Sequence, residues 1–275
     1  LTGDVMKQIL PGGTYNDRYN AYLDMIADFA SQIKGAVIFR PFHENTGSWF
    51  WWGAAFCSSE TFKSVYRYTV DYLKNEKNIH NFLYAYGPGS ESANETEYSE
   101  RYPGDNYVDL VGFDMYDIDP KSDDAGYTYP EQLKTQAAMV ASFAGKHGKL
   151  MAVTECGMGS STADPGDSQT VLHKTGNKQK DWYNKVLNAL SSVSGVSYML
   201  LWANFGKSSG FYTPYVDSVN ANGTLHGHEM LDNFISFFND GRTIFACDQK
   251  KALTDLLSCA SGVSASSPSD SIEGW

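Results

Sequence analysis

The sequence is poor in positive charge. Its 32 acidic residues outnumber 21 lysines and arginines, for a formal net charge of -11. That excludes a nucleic-acid partner gripped through its phosphates, which needs a basic patch. Long apolar runs are also missing. None approaches the about 18 residues that would cross a bilayer, so no membrane span is expected. The four cysteines, Cys57, Cys156, Cys247 and Cys259, include no CxxC pair, which argues against a structural zinc site. Cys247 and Cys259 are close enough for a local disulfide in an oxidising compartment, a point the sequence leaves open. There is no GxGxxG and no GxxxxGK[ST], so nucleotide binding has no support. No signal-peptide pattern opens the chain at Leu1, and no short internal repeat is evident.

The chain is rich in apolar and aromatic residues. Of 275 residues, 42% are hydrophobic and 14% aromatic, with 18 Tyr and 6 Trp. That is enough to bury the core of one large domain and to offer flat rings to a ligand. Apolar periodicity predicts helices over 16–33, 60–75, 130–146, 178–192, 228–239 and 249–259, and a weaker one over 90–100. Between them, β-branched and aromatic runs predict strands leading to Phe42, Tyr86, Phe113, Thr154 and Trp202. The alternation is that of a parallel α/β protein. Residues 1–260 read as one α/β domain, with barrel and open sheet both compatible, and 261–275 as a Ser-rich tail.

One stretch stands out, Arg40-Pro-Phe-His-Glu-Asn-Thr-Gly-Ser-Trp-Phe-Trp-Trp-Gly53. It follows a run, Ala36 to Phe39, that reads as a fully buried strand. It then places His43 and Glu44 at the strand mouth, beside three tryptophans. A carboxylate there is expensive unless partnered, and three tryptophans within four positions cannot all face the core. The other polar residues that stand out, Asp114, Tyr116, Glu155 and Trp202, also fall at C-terminal strand ends, the edge where α/β proteins put their sites. Two strand-end glutamates, Glu44 and Glu155, suggest a two-carboxylate hydrolase: one acid protonates a leaving oxygen while the other acts as nucleophile or as base for water. A hydrophobic wall would lift one of them toward the acid role.

Arg40 to Gly53, together with Tyr107-Val-Asp-Leu-Val-Gly-Phe-Asp-Met-Tyr-Asp117 and Val153-Thr-Glu-Cys-Gly157, resembles glycoside hydrolase family 26. Its best-known members are endo-β-1,4-mannanases. The resemblance runs from about Tyr15 to about Leu257. It implies a (β/α)8 TIM barrel, a secreted, periplasmic or cell-surface location, and retaining endo-hydrolysis of mannan, glucomannan or galactomannan. It makes Glu44 the acid/base, Glu155 the nucleophile and Tyr116 its hydrogen-bonding partner. Arg40, His43, Trp49 and Trp202 would contact the sugar, with Asp109 and Asp114 as supporting acids. No metal or cofactor is called for. The same family includes β-1,3-1,4-glucanases and β-1,3-xylanases, and a non-catalytic glycan binder is the alternative outside enzymes.

In the family the acid follows the fourth barrel strand, whereas Glu44 follows the first strand legible here. The expectation is therefore that the first three βα units lie upstream of Leu1, in a missing N-terminal segment of the same protein. Other features read as ordinary surface. His226 and His228 look like loop histidines in water. Asp117, Asp119, Asp123 and Asp124 look like a solvated acidic loop, because Lys121 stands where a calcium ligand would be needed. Asn94-Glu-Thr and Asn222-Gly-Thr are sequons with meaning only in a eukaryotic secretory path.

Overall fold

Short β-branched and aromatic runs, each followed by an amphipathic helix, fold as parallel strands with helical crossovers. The computed structural model describes residues 4–117, 126–158, 175–204 and 212–245. Five strands form one sheet: β1 (Val37–Phe39), β2 (Phe82–Tyr86), β3 (Leu110–Asp117), β4 (Leu150–Met158) and β5 (Val196–Leu201). They lie in the order β1-β2-β3-β4-β5, all parallel. Right-handed crossovers that always step in one direction put every connecting helix on the same face. That is how a barrel wall is built, whereas a doubly wound sheet reverses direction at a switch point.

The helices are α1 (Val5–Gln8), α2 (Asn16–Ser31), α3 (Ser59–Asp71), α4 (Glu95–Ser99), α5 (Tyr129–His147), α6 (Trp182–Ser191) and α7 (Leu231–Phe238). Asn94 accepts the Glu97 N–H at 3.0 Å and caps α4, so the first sequon asparagine is a helix cap. The core lies between sheet and helices. Phe62, Val65 and Tyr66 of α3, Leu133, Ala137 and Val140 of α5, and Trp182, Tyr183 and Val186 of α6 are buried against Tyr84, Tyr86, Val111 and Phe113.

Several expectations change. Ala36 to Phe39 is not fully buried: Ile38 is 46% exposed, because β1 is paired on one side only among the described residues. Tyr22 and Phe29 have the apolar spacing of a helix's buried face, yet both are more than half exposed. The helix instead seats Leu23, Ala27 and Ala30. Strands β3 and β4 run past Phe113 and Thr154, so Asp114, Tyr116 and Glu155 lie inside strands. The segment from Val216 to Gly227 is a hairpin of β6 (Val216–Val219) and β7 (Leu225–Gly227), turning at Asn222-Gly223. His228 is not a solvated loop residue. It is 3% exposed, and its Nδ1 accepts the Met230 N–H at 3.1 Å. The expected helix 249–259, Cys247, Cys259, Asp119, Asp123, Asp124 and the Ser-rich tail lie outside the described residues.

Trp182 joins α6 to the strand that carries the site. Its ring stacks on Tyr129 at 5.9 Å, and its indole N–H donates to Asp117, the last residue of β3, at 3.1 Å. Replacing it by Ala is expected to lower the unfolding free energy by about 3–5 kcal/mol, with Trp182→Phe losing clearly less. Urea unfolding that finds the two variants equal would contradict this account.

Candidate active site

Asp114 and Glu155 stand side by side because of a register shift. Phe113 pairs with Val153, but the next pair is Asp114 with Glu155. Thr154 is thus one extra residue on β4, a β-bulge that re-aims the strand locally. Its hydroxyl donates to Asp114 Oδ1 at 2.6 Å. Both carboxylates are 3% exposed. Two like charges buried together need a counter-charge, and Arg40, just beyond β1, supplies it. One guanidinium nitrogen donates to Asp114 Oδ2 at 2.7 Å, and another donates to Glu155 Oε1. Arg40 must pass the end of β2 to get there. A Cβ on Gly87 would stand 3.0 Å from Arg40 Cδ, so glycine at that position keeps the route open. Tyr116 donates to the other Glu155 oxygen, Oε2, at 2.6 Å.

Glu44 approaches from the loop after β1. Phe42 and Glu44 both have left-handed backbone, with φ of 55° and 49°, a conformation costing of order 1–3 kcal/mol at a non-glycine residue. Packing and hydrogen bonds hold it. The Phe42 ring meets Trp51, Trp52 and Phe62 edge-on at 6.1–6.3 Å, and the Glu44 N–H donates to Gly87 O at 2.8 Å. Trp49, 56% exposed, folds back over Gly47 and donates its indole N–H to Glu44 Oε2 at 2.6 Å. Trp51 and Trp52 pack on the core instead, and Trp52 donates to the carbonyl of His43 at 2.7 Å. The His43 ring lies 4.8 Å from Phe50.

Glu44, Asp114 and Glu155 each offer an oxygen within 4.8 Å of the others. That spacing would also suit a cation, but Arg40 already holds one oxygen each of Asp114 and Glu155. Burial raises the Glu44 carboxyl. The Trp49 hydrogen bond and Arg40 pull it down, while the charges of Glu155 and Glu91 push it further up. Burial lifts Asp114 to about 7 against the pull of Arg40, with Glu155 adding to the rise and Thr154 opposing it. Burial also works against the charge on Arg40, but Asp114 and Glu155 outweigh it and hold Arg40 above its ordinary value. Burial and then the nearby Arg40 lower His43, against the pull of Glu155, so it favours the neutral form. Burial and the bond to Glu155 raise Tyr116, which stays a neutral donor.

Glu44, Glu155, Tyr116, Arg40, Asp114 and Trp49 therefore converge, with His43 beside them. Trp202 follows β5, and its backbone N–H donates to Cys156 O at 2.9 Å, next to Glu155 in the chain. Asp109 does not join them. It is an exposed residue just before β3, where it accepts the Tyr84 N–H at 2.8 Å. It stands five positions before Asp114, about 16 Å along the strand at roughly 3.3 Å per residue. Thr154, which adjoins Glu155, carries no signal of its own in the sequence. Nor do Thr46 and Glu91, whose side chains are hydrogen-bonded at 2.5 Å beside the acid loop.

The model of glycosyl hydrolase family 26 matches residues 2–203. The chain belongs to glycosyl hydrolase family 26. It is 39% identical over 230 residues to a mannan endo-1,4-beta-mannosidase of Bifidobacterium adolescentis, covering 81% of this chain and 22% of that protein. It is 33% identical over 130 residues to a mannan endo-1,4-beta-mannosidase of Bacillus subtilis, covering 44% of this chain and 35% of the relative. Among solved structures, the catalytic domain of the Bacillus sp. JAMB-750 GH26 endo-beta-1,4-mannanase superposes with a TM-score of 0.76 at 39% identity. That match covers 90% of this chain and 62% of the other. The chain thus spans about a fifth to a third of these two curated relatives, and under two thirds of the family 26 catalytic domain that it superposes on.

The raised Glu44 has a consequence for stability with a definite sign. A carboxyl raised in the folded state binds its proton more tightly folded than unfolded, so it destabilises the fold increasingly as pH rises from its unfolded value through its folded one. Glu44→Gln is expected to unfold at the same temperature as the parent near pH 4 and at a higher temperature near pH 8. Calorimetry showing an equal shift at both pH values would contradict the assignment.

Proposed function

We propose that this family 26 chain carries the catalytic groups of a retaining endo-β-1,4-mannanase acting on mannan, glucomannan or galactomannan. The observation that supports this best is the distance between the two glutamates. Oxygens of Glu44 and Glu155 lie within 4.8 Å, near the roughly 5–5.5 Å of retaining glycosidases and short of the roughly 6.5–9.5 Å that leaves room for an inverting water. The names of the relatives support mannan as the polymer.

In this mechanism protonated Glu44 gives its proton to the glycosidic oxygen while a Glu155 oxygen attacks the anomeric carbon. The leaving sugar departs with the Glu44 proton, and the remaining sugar is esterified to Glu155. Arg40 and Tyr116 hold the two nucleophile oxygens before attack and orient the one that bonds. Before the first step, the charge of Glu155 helps keep Glu44 protonated. Once Glu155 is esterified that charge is gone, so Glu44 loses one cause of its raised pKa and is better able to remain a carboxylate. It then takes a proton from water as the water oxygen attacks the anomeric carbon, and Glu155 leaves as carboxylate. Trp49 and Trp202 are read as rings against the sugar, and His43 as a polar contact to it. Trp49 has a second role, since its N–H steadies Glu44.

Reducing-sugar release from panels of mannan, β-1,3-1,4-glucan and β-1,3-xylan tests the reading. Mannan is expected to be cleaved preferentially. Glu155→Ala is expected to lose about 10³-fold or more in kcat/KM, with oligosaccharide binding retained. Glu44→Ala should lose comparably on polysaccharide but far less on aryl glycosides whose leaving group needs no proton. Preference for glucan or xylan would reassign the substrate. Binding without any turnover would favour a glycan-binding protein.

A further inference from the structure

Tyr212 takes no part in the steps above, yet its ring lies among the groups that perform them. Its backbone is held at both ends. The Tyr212 N–H and the Thr213 N–H both donate to Asn204 Oδ1, at 2.9 and 3.2 Å, and the Tyr212 carbonyl accepts the Tyr183 hydroxyl at 2.9 Å. Asn204 lies just beyond β5, and Tyr183 is a buried residue of α6. The framework therefore fixes where this ring goes.

The ring lands on Gly157, two positions after Glu155 on β4. A Cβ at 157 would overlap the Tyr212 ring and would come within 3.3 Å of the Tyr116 ring. Glycine there lets both rings close over the strand. They meet edge to face, with centroids 5.8 Å apart and planes at 62°, a favoured aromatic geometry. Tyr116 is half-buried and its ring can swing about two side-chain torsions, yet its hydroxyl has to stay on Glu155 Oε2. Burial raises the Tyr212 hydroxyl, and the charges of Glu155 and Glu44 raise it further, which agrees with its lying near both.

We propose that Tyr212 is a positioning residue: seated on Gly157, its ring backs the Tyr116 ring and so keeps the Tyr116 hydroxyl on Glu155. This rests on the mannanase reading for its kinetic consequence but not for its geometric one.

The test uses the full chain with Tyr212→Ala, Tyr212→Leu, Tyr212→Phe, Tyr116→Phe and the double variant Tyr212→Ala/Tyr116→Phe, and a crystal structure of whichever of the first two folds. In that structure the Tyr116 hydroxyl is expected to move beyond about 3.5 Å from Glu155, outside hydrogen-bond range. On mannan, kcat is expected to fall about tenfold, the scale of one aromatic contact, with KM within about twofold, as for an interaction made chiefly in the transition state. Tyr212→Phe keeps the ring and should restore both values. The double variant should be no slower than Tyr116→Phe alone. A rise in KM with kcat unchanged would make Tyr212 a sugar platform and overturn the proposal, as would strictly additive losses or a Tyr116 hydroxyl that stays in place. If the parent chain cleaves no glycan in the panel, the functional reading fails, and the crystallographic arm still decides the role of Tyr212.

Discussion

The site depends on one cation between two buried acids. Asp114 and Glu155 are register partners on adjacent strands, and both are buried. Arg40 faces both at once, from just beyond the end of β1, by donating separate nitrogens to the two carboxylates. Without it the two carboxylates would face each other with no cation between them, and a buried charge stripped of its partner costs about 3–5 kcal/mol. The small residue at the end of β2, the bulge at Thr154 and the donated bond from Tyr116 all serve this arrangement. Its result is a Glu155 whose two oxygens have fixed partners and a fixed direction.

Glu44 is held by different means. It rides on a loop with strained backbone, anchored by an aromatic cluster beneath and by the β2 loop beside it. Its own partner is an indole N–H, which steadies a carboxylate without adding a full positive charge. Burial, with the charges of Glu155 and Glu91, leaves Glu44 inclined to keep its proton, while the guanidinium gives Glu155 a charged partner. The difference between the two acids thus comes from what each one faces.

The acid pair was legible in the sequence because carboxylates at strand ends after buried runs are conspicuous, and because the string around Glu44 is distinctive. Asp109 was misplaced for a plain reason. It belongs to the same motif as Asp114, and only the strand bounds show that it stands before β3 while Asp114 lies well inside it. Tyr212 carries no local signal; it reaches Gly157 and the Tyr116 ring through a fold that brings distant segments together. The hairpin from Val216 to Gly227 did carry one, Asn222-Gly223 between β-prone residues, a dipeptide that marks a tight turn. The exposed ring of Phe29 on α2 has the spacing of a core residue. Periodicity shows that a helix has an apolar face but not which part of that face is covered.

The central claim is that Glu44 and Glu155 face each other closely enough for a covalent route. Proton NMR of the sugar first released from an aryl β-mannobioside tests it directly, because the anomeric configuration records whether one displacement or two took place. The account predicts that the β-anomer appears first, with the α-anomer growing in only by mutarotation. An α-anomer formed first would mean a single displacement by water and would contradict it.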